Sequence, residues 1–359
     1  MKRFPKRFQK FMAPAAALAL CGGVMPSSPA QAAPNDPEAP RQWGLVKIQA
    51  EKAWATSTGV GAVIAVVDTG VDLGHPDLAG NLLSAGADFV EPAGTCTGGG
   101  SKPSSCTQDH AQDANGHGTH VAGIAAALTN NRVGVAGVAP GARILPVRVL
   151  DAEGSGTTDQ VASGIRYAAD QGAHVINLSL GFLSGLGEVV KLVGALDPVY
   201  EAIEYAQARG SVVIIAAGND SAPLCAEPAA APGVICVGST DSSDLRSWFS
   251  NGDATMMKNY LVAPGGDGLS CAGDIFATYL RSLTPSSCSP ASGYEALAGT
   301  SMASPHVAGV AALLASKGLS SAAIVDCLLK TADDLGVPGH DPVYGHGRVN
   351  AARAVSSCQ

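Results

Sequence analysis

The chain alternates short apolar runs with segments of helical period. The runs cover residues 62–67, 142–150, 175–180, 211–217 and 234–239, with a shorter one at Leu261 and Val262. Most lack the apolar/polar alternation of a half-exposed strand. A strand that is apolar on both sides fits a parallel sheet buried on both faces. Between the runs, residues 118–128, 157–171, 198–209 and 301–316 read as helices. Thr157 caps the second, and the third opens with Asp197 as cap and Pro198 at its first position. Strand, helix, strand repetition predicts right-handed crossovers and helices on both faces, hence one three-layer αβα domain with a mainly parallel central sheet and no internal repeat. Residues 94–105, rich in Gly, Ser and Pro, read as a surface insertion tied at its ends by Cys96 and Cys106.

The first 32 residues break this pattern. Five basic residues precede an apolar run over 11–25, followed by Pro26, Pro29 and Ala30-Gln31-Ala32. This is the layout of a secretory signal, so cleavage is expected after Ala32, leaving one domain over 33–359 outside the cell. A membrane anchor is the alternative, but the run is short and interrupted by Pro14. A lipoprotein site at Cys21 expects a small residue where Leu20 stands. No later stretch is apolar and long enough to span a bilayer, so no stable anchor is expected after signal removal.

Composition narrows the partners. Without residues 1–32, 17 positive charges face 30 negative ones, a net charge of −13, which argues against a nucleic-acid partner. The 46% hydrophobic and 14% charged content excludes a disordered chain. Eight cysteines remain, at 96, 106, 225, 236, 271, 288, 327 and 358. An even number in an exported chain points to disulfides, and no CxxC pair supports zinc. Eight cysteines allow about a hundred pairings; sequential pairing, with each bridge closing a local loop, is the expectation.

Ligands of open parallel sheets gather at the carboxyl ends of strands. There the apolar runs end in Asp68-Thr69-Gly70, in Ser179-Leu180-Gly181 and in Gly218-Asn219, while His117 and Ser301 stand at helix starts. An acid, an imidazole, a hydroxyl and an amide thus converge on one edge. Amide hydrolysis needs a nucleophile, a base, a group that orients the base, and donors for the oxyanion. Ser301 suits the nucleophile, because a helix start exposes free N–H groups and its own N–H can bind the oxyanion. His117 suits the base, Asp68 the orienting carboxylate and Asn219 the second oxyanion donor.

The blocks Val66-Val67-Asp68-Thr69-Gly70, His117-Gly118-Thr119-His120-Val121-Ala122-Gly123, Ala216-Ala217-Gly218-Asn219 and Gly299-Thr300-Ser301-Met302-Ala303-Ser304-Pro305-His306 resemble the catalytic and oxyanion motifs of subtilisin-like serine proteases, most of all the thermitase group. Four blocks in the family's order, spread over most of the chain, are a specific signal. The resemblance implies a secreted endopeptidase, a monomer acting on proteins and peptides. It also implies that Ser179, Leu180 and Gly181 pair with substrate backbone as an added strand, and that Ala216, Ala217 and Gly218 line a roomy specificity pocket, favouring Phe, Tyr, Leu or Met before the cut. By position it further implies a structural Ca²⁺ held by the carbonyls of Leu128, Val133 and Val135 and the side chains of Asn131, Asp77 and Asp36. Asp88, Asp109 and Asp113 come into view for a second calcium site, against which the 96–106 insertion argues.

Such exported enzymes commonly carry a long folding-assistant prosegment, and Asn35-Asp36-Pro37 follows the expected cleavage site almost at once. The domain is therefore expected to fold unaided or with another chain's help, and an inhibitor protein is a further possible partner. His120 and His306 read as structural, and His340 and His346 as solvated. Two other functions compete. A non-catalytic binding homologue would lack one of the four chemical groups, and an esterase would carry Gly-x-Ser-x-Gly, which Ala303 breaks.

Overall fold

Six residues of one strand explain the layering. In β1 (Val63–Asp68), Ile64 and Val66 join one buried cluster while Ala65 and Val67 join another on the opposite face. The same division runs through β3 (Arg143–Arg148), β4 (Val175–Leu178), β5 (Val212–Ala216), β6 (Ile235–Thr240) and β7 (Tyr260–Pro264). With water excluded from both faces, alternation has nothing to encode. The strands, with a short edge strand β2 (Ala87–Asp88), form a seven-stranded parallel sheet in the order β2-β3-β1-β4-β5-β6-β7. The three-layer expectation is borne out. This computed structural model describes residues 33–90, 111–181, 197–283, 286–289 and 292–359. The expected signal segment and the Cys96/Cys106 insertion lie outside them.

The helices in chain order are α1 (Trp43–Lys47), α2 (Ala50–Ala53), α3 (His117–Ala126), α4 (Thr158–Asp170), α5 (Asp197–Ala208), α6 (Thr300–Ala315), α7 (Ser321–Lys330) and α8 (Ala351–Ser357). On one face lie α4 and α5, amphipathic and packed together. Thr157 caps α4 as expected and completes a reciprocal capping box with Gln160. On the other face lie α3 and α6. Helix α6 is buried at every residue except Ser301. Small side chains permit this: a Cβ on Gly309 would stand 2.5 Å from the Val138 Cβ, so any side chain there would push the helix out of contact.

Outside the anticipated pattern stand β2 and an antiparallel hairpin of β8 (Ile275–Thr278) and β9 (Tyr294–Leu297). The structure joins Cys225–Cys236, Cys271–Cys288 and Cys327–Cys358, each a pair of sequence neighbours. Each closes a local loop, worth roughly 3 kcal/mol by chain entropy. His340 and His346 are not simply solvated. Both are part-buried, and their Nε2 atoms donate to the carbonyls of Met257 and Lys258.

Candidate active site

Asp68 is the last residue of β1 and fully buried. Its Oδ1 accepts from the Thr69 amide at 2.8 Å and lies 2.7 Å from His117 Nδ1. A carboxylate only accepts, so Nδ1 carries the proton and the Nε2 lone pair is left open. His117 opens α3 after Gly116, whose φ of 108° is the left-handed turn that starts the helix. Gly118 lets this helix approach the strand. A Cβ there would meet the Gly70 carbonyl at 2.2 Å and the Asp68 Cβ at 3.1 Å.

Asp113 fastens the two elements together, a role that composition and motif order did not reveal. Its Oδ1 accepts from Thr69 Oγ1 and from the amides of Asn115 and Gly116, and its Oδ2 from the amide and hydroxyl of Thr119. Thr69 Oγ1 in turn accepts from the Gly118 amide at 2.9 Å. The legible signal was an acid just upstream of a helix start. Burial disfavours the imidazolium, yet the charge and hydrogen bond of Asp68, with the charge of Asp113, outweigh it and hold the His117 pKa above its ordinary value.

The hydroxyl half sits across the site. Ser301 Oγ donates to the Ser179 carbonyl at 3.2 Å, and Ser179 Oγ donates to the Ser301 carbonyl at 2.8 Å. Pro305, lacking an N–H, cannot bond that carbonyl from within the helix, which leaves it for Ser179. In this state Ser301 does not hydrogen-bond His117; catalytic contacts of this kind often tighten only with substrate bound.

Asn219 is exposed, and its Oδ1 accepts from the amide and hydroxyl of Thr300 at 2.8 and 2.9 Å. That pins the amide so that Nδ2 turns toward Gly299. A Cβ on Gly299 would stand 3.6 Å from Asn219 Nδ2 and 3.6 Å from the Ser301 amide nitrogen. One point in space is therefore close to two N–H donors, and glycine leaves it open. Thr300 was not singled out from the sequence, although it directly precedes Ser301.

Two short segments flank this point. Ser179, Leu180 and Gly181 follow β4; Ala216 closes β5, with Ala217 and Gly218 after it. Ala226, unforeseen, lies between them: its Cβ is 3.0 Å from a Cβ placed on Gly218 and 3.9 Å from one on Gly181. Apart from Ser179 and Leu180, the residues gathered here are alanine or glycine.

His120 and His306 are buried and take no part in this geometry. Burial pushes the first down to about 3, against a hydrogen bond to the Glu295 carbonyl, and the second down to about 4, against one to the Met302 carbonyl.

Some distance along the chain, the loop over residues 128–135 gathers around two carboxylates. Asp36 accepts from the amides of Asn130, Asn131 and Arg132, and Asp77 from Asn131 Nδ2 and the Val135 amide. Burial raises the Asp77 carboxyl to about 6, against the Val135 and Asn131 hydrogen bonds and with help from the Asp36 charge. Asn130 and Arg132 take left-handed φ of 62° and 64°. Among the described residues, the carbonyls of Leu128, Val133 and Val135 accept no hydrogen bond. Free carbonyls beside two carboxylates are a hard-oxygen donor set. Asp88, by contrast, is paired with Arg148, Asp113 is filled by five donors, and Asp109 lies outside the described residues.

Comparison with known proteins places the chain. It is 46% identical over 323 residues to thermitase from Thermoactinomyces vulgaris, spanning 90% of this chain and 99% of that protein. It is 39% identical to subtilisin Savinase from Lederbergia lenta, over 87% of this chain and 97% of that one. A solved protease from Pseudoalteromonas arctica PAMC 21717 superposes with a TM-score of 0.74 at 34% identity, covering 90% of this chain and 99% of its own. The profile of the subtilase family, Peptidase S8, matches residues 59–347. The chain therefore belongs to the subtilase family and is a serine endopeptidase.

Proposed function

We propose that the protein is a secreted endopeptidase that cleaves proteins and peptides by acyl transfer through Asp68, His117 and Ser301. Ser301 Oγ swings from the Ser179 carbonyl and attacks the scissile carbonyl carbon, while His117 Nε2 takes its proton. Asp68 keeps Nδ1 protonated and stabilises the imidazolium. The oxyanion lodges where the Ser301 amide and Asn219 Nδ2 both reach. His117 then gives the proton to the leaving amine, and a water deprotonated by the same imidazole hydrolyses the acyl-enzyme.

The observation that carries this reading is the open point above Gly299, flanked at 3.6 Å by two donors, one of them the amide of Ser301 itself. Labelling with a fluorophosphonate, followed by mapping of the adduct, tests it. Modification confined to Ser301 is expected, and modification elsewhere would overturn the assignment.

Small residues at Ala216, Ala217, Gly218, Gly181 and Ala226 favour a large apolar side chain before the cut. A peptide library that returned basic residues instead would refute that preference. The donor set of Asp36, Asp77, Asn131 and the carbonyls of Leu128, Val133 and Val135 fits Ca²⁺, which would supply charge neutralisation and tie residues near 36 to the 128–135 loop. At a hundredfold excess over its dissociation constant, calcium would add about 2.7 kcal/mol. Chelation should therefore lower the unfolding temperature by several degrees, and calcium, not magnesium, should restore it.

Export with cleavage after Ala32 accords with the sequence of residues 1–32, and among the described residues no helix is long and apolar enough to cross a membrane. Protein and peptide substrates are the partners this chemistry requires. A single chain supplies every group named, so the working unit is a monomer. An inhibitor or folding-assistant protein would bind over the same residues.

A further inference from the structure

The oxyanion reading above rests on Asn219, yet nothing described so far explains what holds the backbone around so exposed a residue. The answer lies in a buried asparagine on a different loop. Asn251 follows β6 by some ten residues and is fully buried. Its backbone amide donates to the Gly218 carbonyl at 2.9 Å. Its side-chain Nδ2 donates to the Ala217 carbonyl at 3.0 Å, and its Oδ1 accepts from the amides of Asp220 at 3.0 Å and Ala222 at 2.9 Å.

Four hydrogen bonds from one residue thus grip the chain on both sides of Asn219, none of them made to Asn219 itself. The fit is close. A Cβ on Gly218, which has a φ of 103°, would stand 2.5 Å from Asn251 Nδ2, so glycine at 218 is what lets the amide lie against the segment. Thr300 fixes the Asn219 side chain from the nucleophile helix, and Asn251 fixes its main chain from the opposite side.

We infer that Asn251 is a positioning residue for catalysis, holding the 217–222 backbone so that the Asn219 amide meets the developing oxyanion. The reason is chemical as well as geometric. A carboxamide offers an acceptor and a donor on one planar group. The segment presents both needs at once, two amides that must be accepted and one carbonyl that must be donated to. No aliphatic side chain can do this, and a hydroxyl spans less. A displacement of about 1 Å in a group that binds a transition state can cost on the order of 100-fold in rate.

The test is a double-mutant cycle with the mature, disulfide-bonded enzyme, using Asn251→Ala and Asn219→Ala. The variants are assayed as kcat per fluorophosphonate-titrated site, so that misfolded molecules are not counted. Asn219→Ala should cost roughly 100- to 1,000-fold. Asn251→Ala should lower kcat by about 10- to 100-fold in the parent, but by less than about twofold when Asn219 is already alanine, because the two act through one interaction. Asn251→Gln keeps an acceptor and a donor on one uncharged planar group and should recover part of the lost rate. It also carries the cycle should the alanine variant fail to fold.

An equal fractional loss in both backgrounds, or a change only in unfolding temperature or in KM, would overturn the inference and leave the oxyanion reading standing. If Asn219→Ala itself retained the parental kcat, the reading of Asn219 would fall, and the inference with it.

Discussion

The two halves of the site are built by opposite means. The imidazole half is a charged, buried construction. Asp68 and Asp113 bracket Thr69 and the start of α3, and between them they accept hydrogen bonds from Thr69, Asn115, Gly116 and Thr119 as well as from His117. The hydroxyl half is positioned by uncharged groups. Ser301 and Asn219 are placed by neutral amides, a proline-freed carbonyl and a glycine that leaves space. The difference has a physical origin. In the proposed mechanism the base must become a cation during turnover, so carboxylates near it lower the cost of that charge. The oxyanion of the proposed mechanism is negative, and fixed dipoles are what stabilise it. A carboxylate in the second half would oppose the chemistry that one in the first half assists.

Substitutions can break this contrast at several strengths. The largest effect should come from Ser301→Ala, which removes the proposed nucleophile. A fall in kcat on the order of 10⁶ is expected, as losses of triad serines in this enzyme class reach that size; hydrolysis of casein at the parental rate would refute the assignment. Next is Gly299→Ala. The added methyl group would occupy the point between the two donors, so kcat should fall by about 100-fold while fluorescence and unfolding temperature remain near parental values. Unchanged turnover would show that the oxyanion lies elsewhere.

Acid tests both helices together, since each carries one buried neutral histidine, His120 in α3 and His306 in α6. Their folded values lie near 3 and 4, below the ordinary 6.5. The unfolded chain therefore binds protons that the folded chain refuses. Stability is present above pH 6.5 and is lost as pH falls toward 4, by up to about 1.4 kcal/mol per pH unit for each histidine. His117 acts in the opposite sense. Its raised value contributes stability at low pH that disappears as pH rises through that value. Urea midpoints measured from pH 7 to pH 4 for the parent and for His306→Asn would show the slope decreasing by about one proton; equal slopes would exclude the burial argument.

The subtlest expectation concerns Asp113. His117 must be neutral to accept a proton, so the acid limb of kcat/KM should lie above the ordinary histidine value. Asp113→Asn removes one of the charges holding it there, and the limb should move to lower pH by a fraction of a unit. A limb that stayed in place, or moved upward, would show that Asp113 acts only as a fastener.

How much of this was legible in the chain depended on whether the information was local. β1, β4, β5 and β6 were readable because burial on both faces leaves an unbroken apolar run. The starts of α3, α4, α5 and α6 could be located to within a residue from Thr157, Asp197 and the polar groups at 117 and 301. β2 has only two residues, and β8 and β9 only four each, too few for any period to show. Asp68, His117, Asn219 and Ser301 stood out because each ends a strand run or opens a helix. The positioning roles of Asp113, Ala226, Thr300 and Asn251 did not, since each acts by touching a residue distant in the sequence or by a hydrogen bond that composition and motif order do not announce.

The sequence by itself therefore determined the layers of the fold and the kinds of chemical group at the strand ends, because both follow from burial and from the needs of hydrolysis. Only the tertiary structure decided how far apart those groups stand, which neighbours orient them, and where room is left for charge to develop. Those are distances between segments that meet only after the sheet has formed. Hydrogen bonds such as those of Asn251 exist only once packing has brought both partners together and excluded the water that would otherwise take their place.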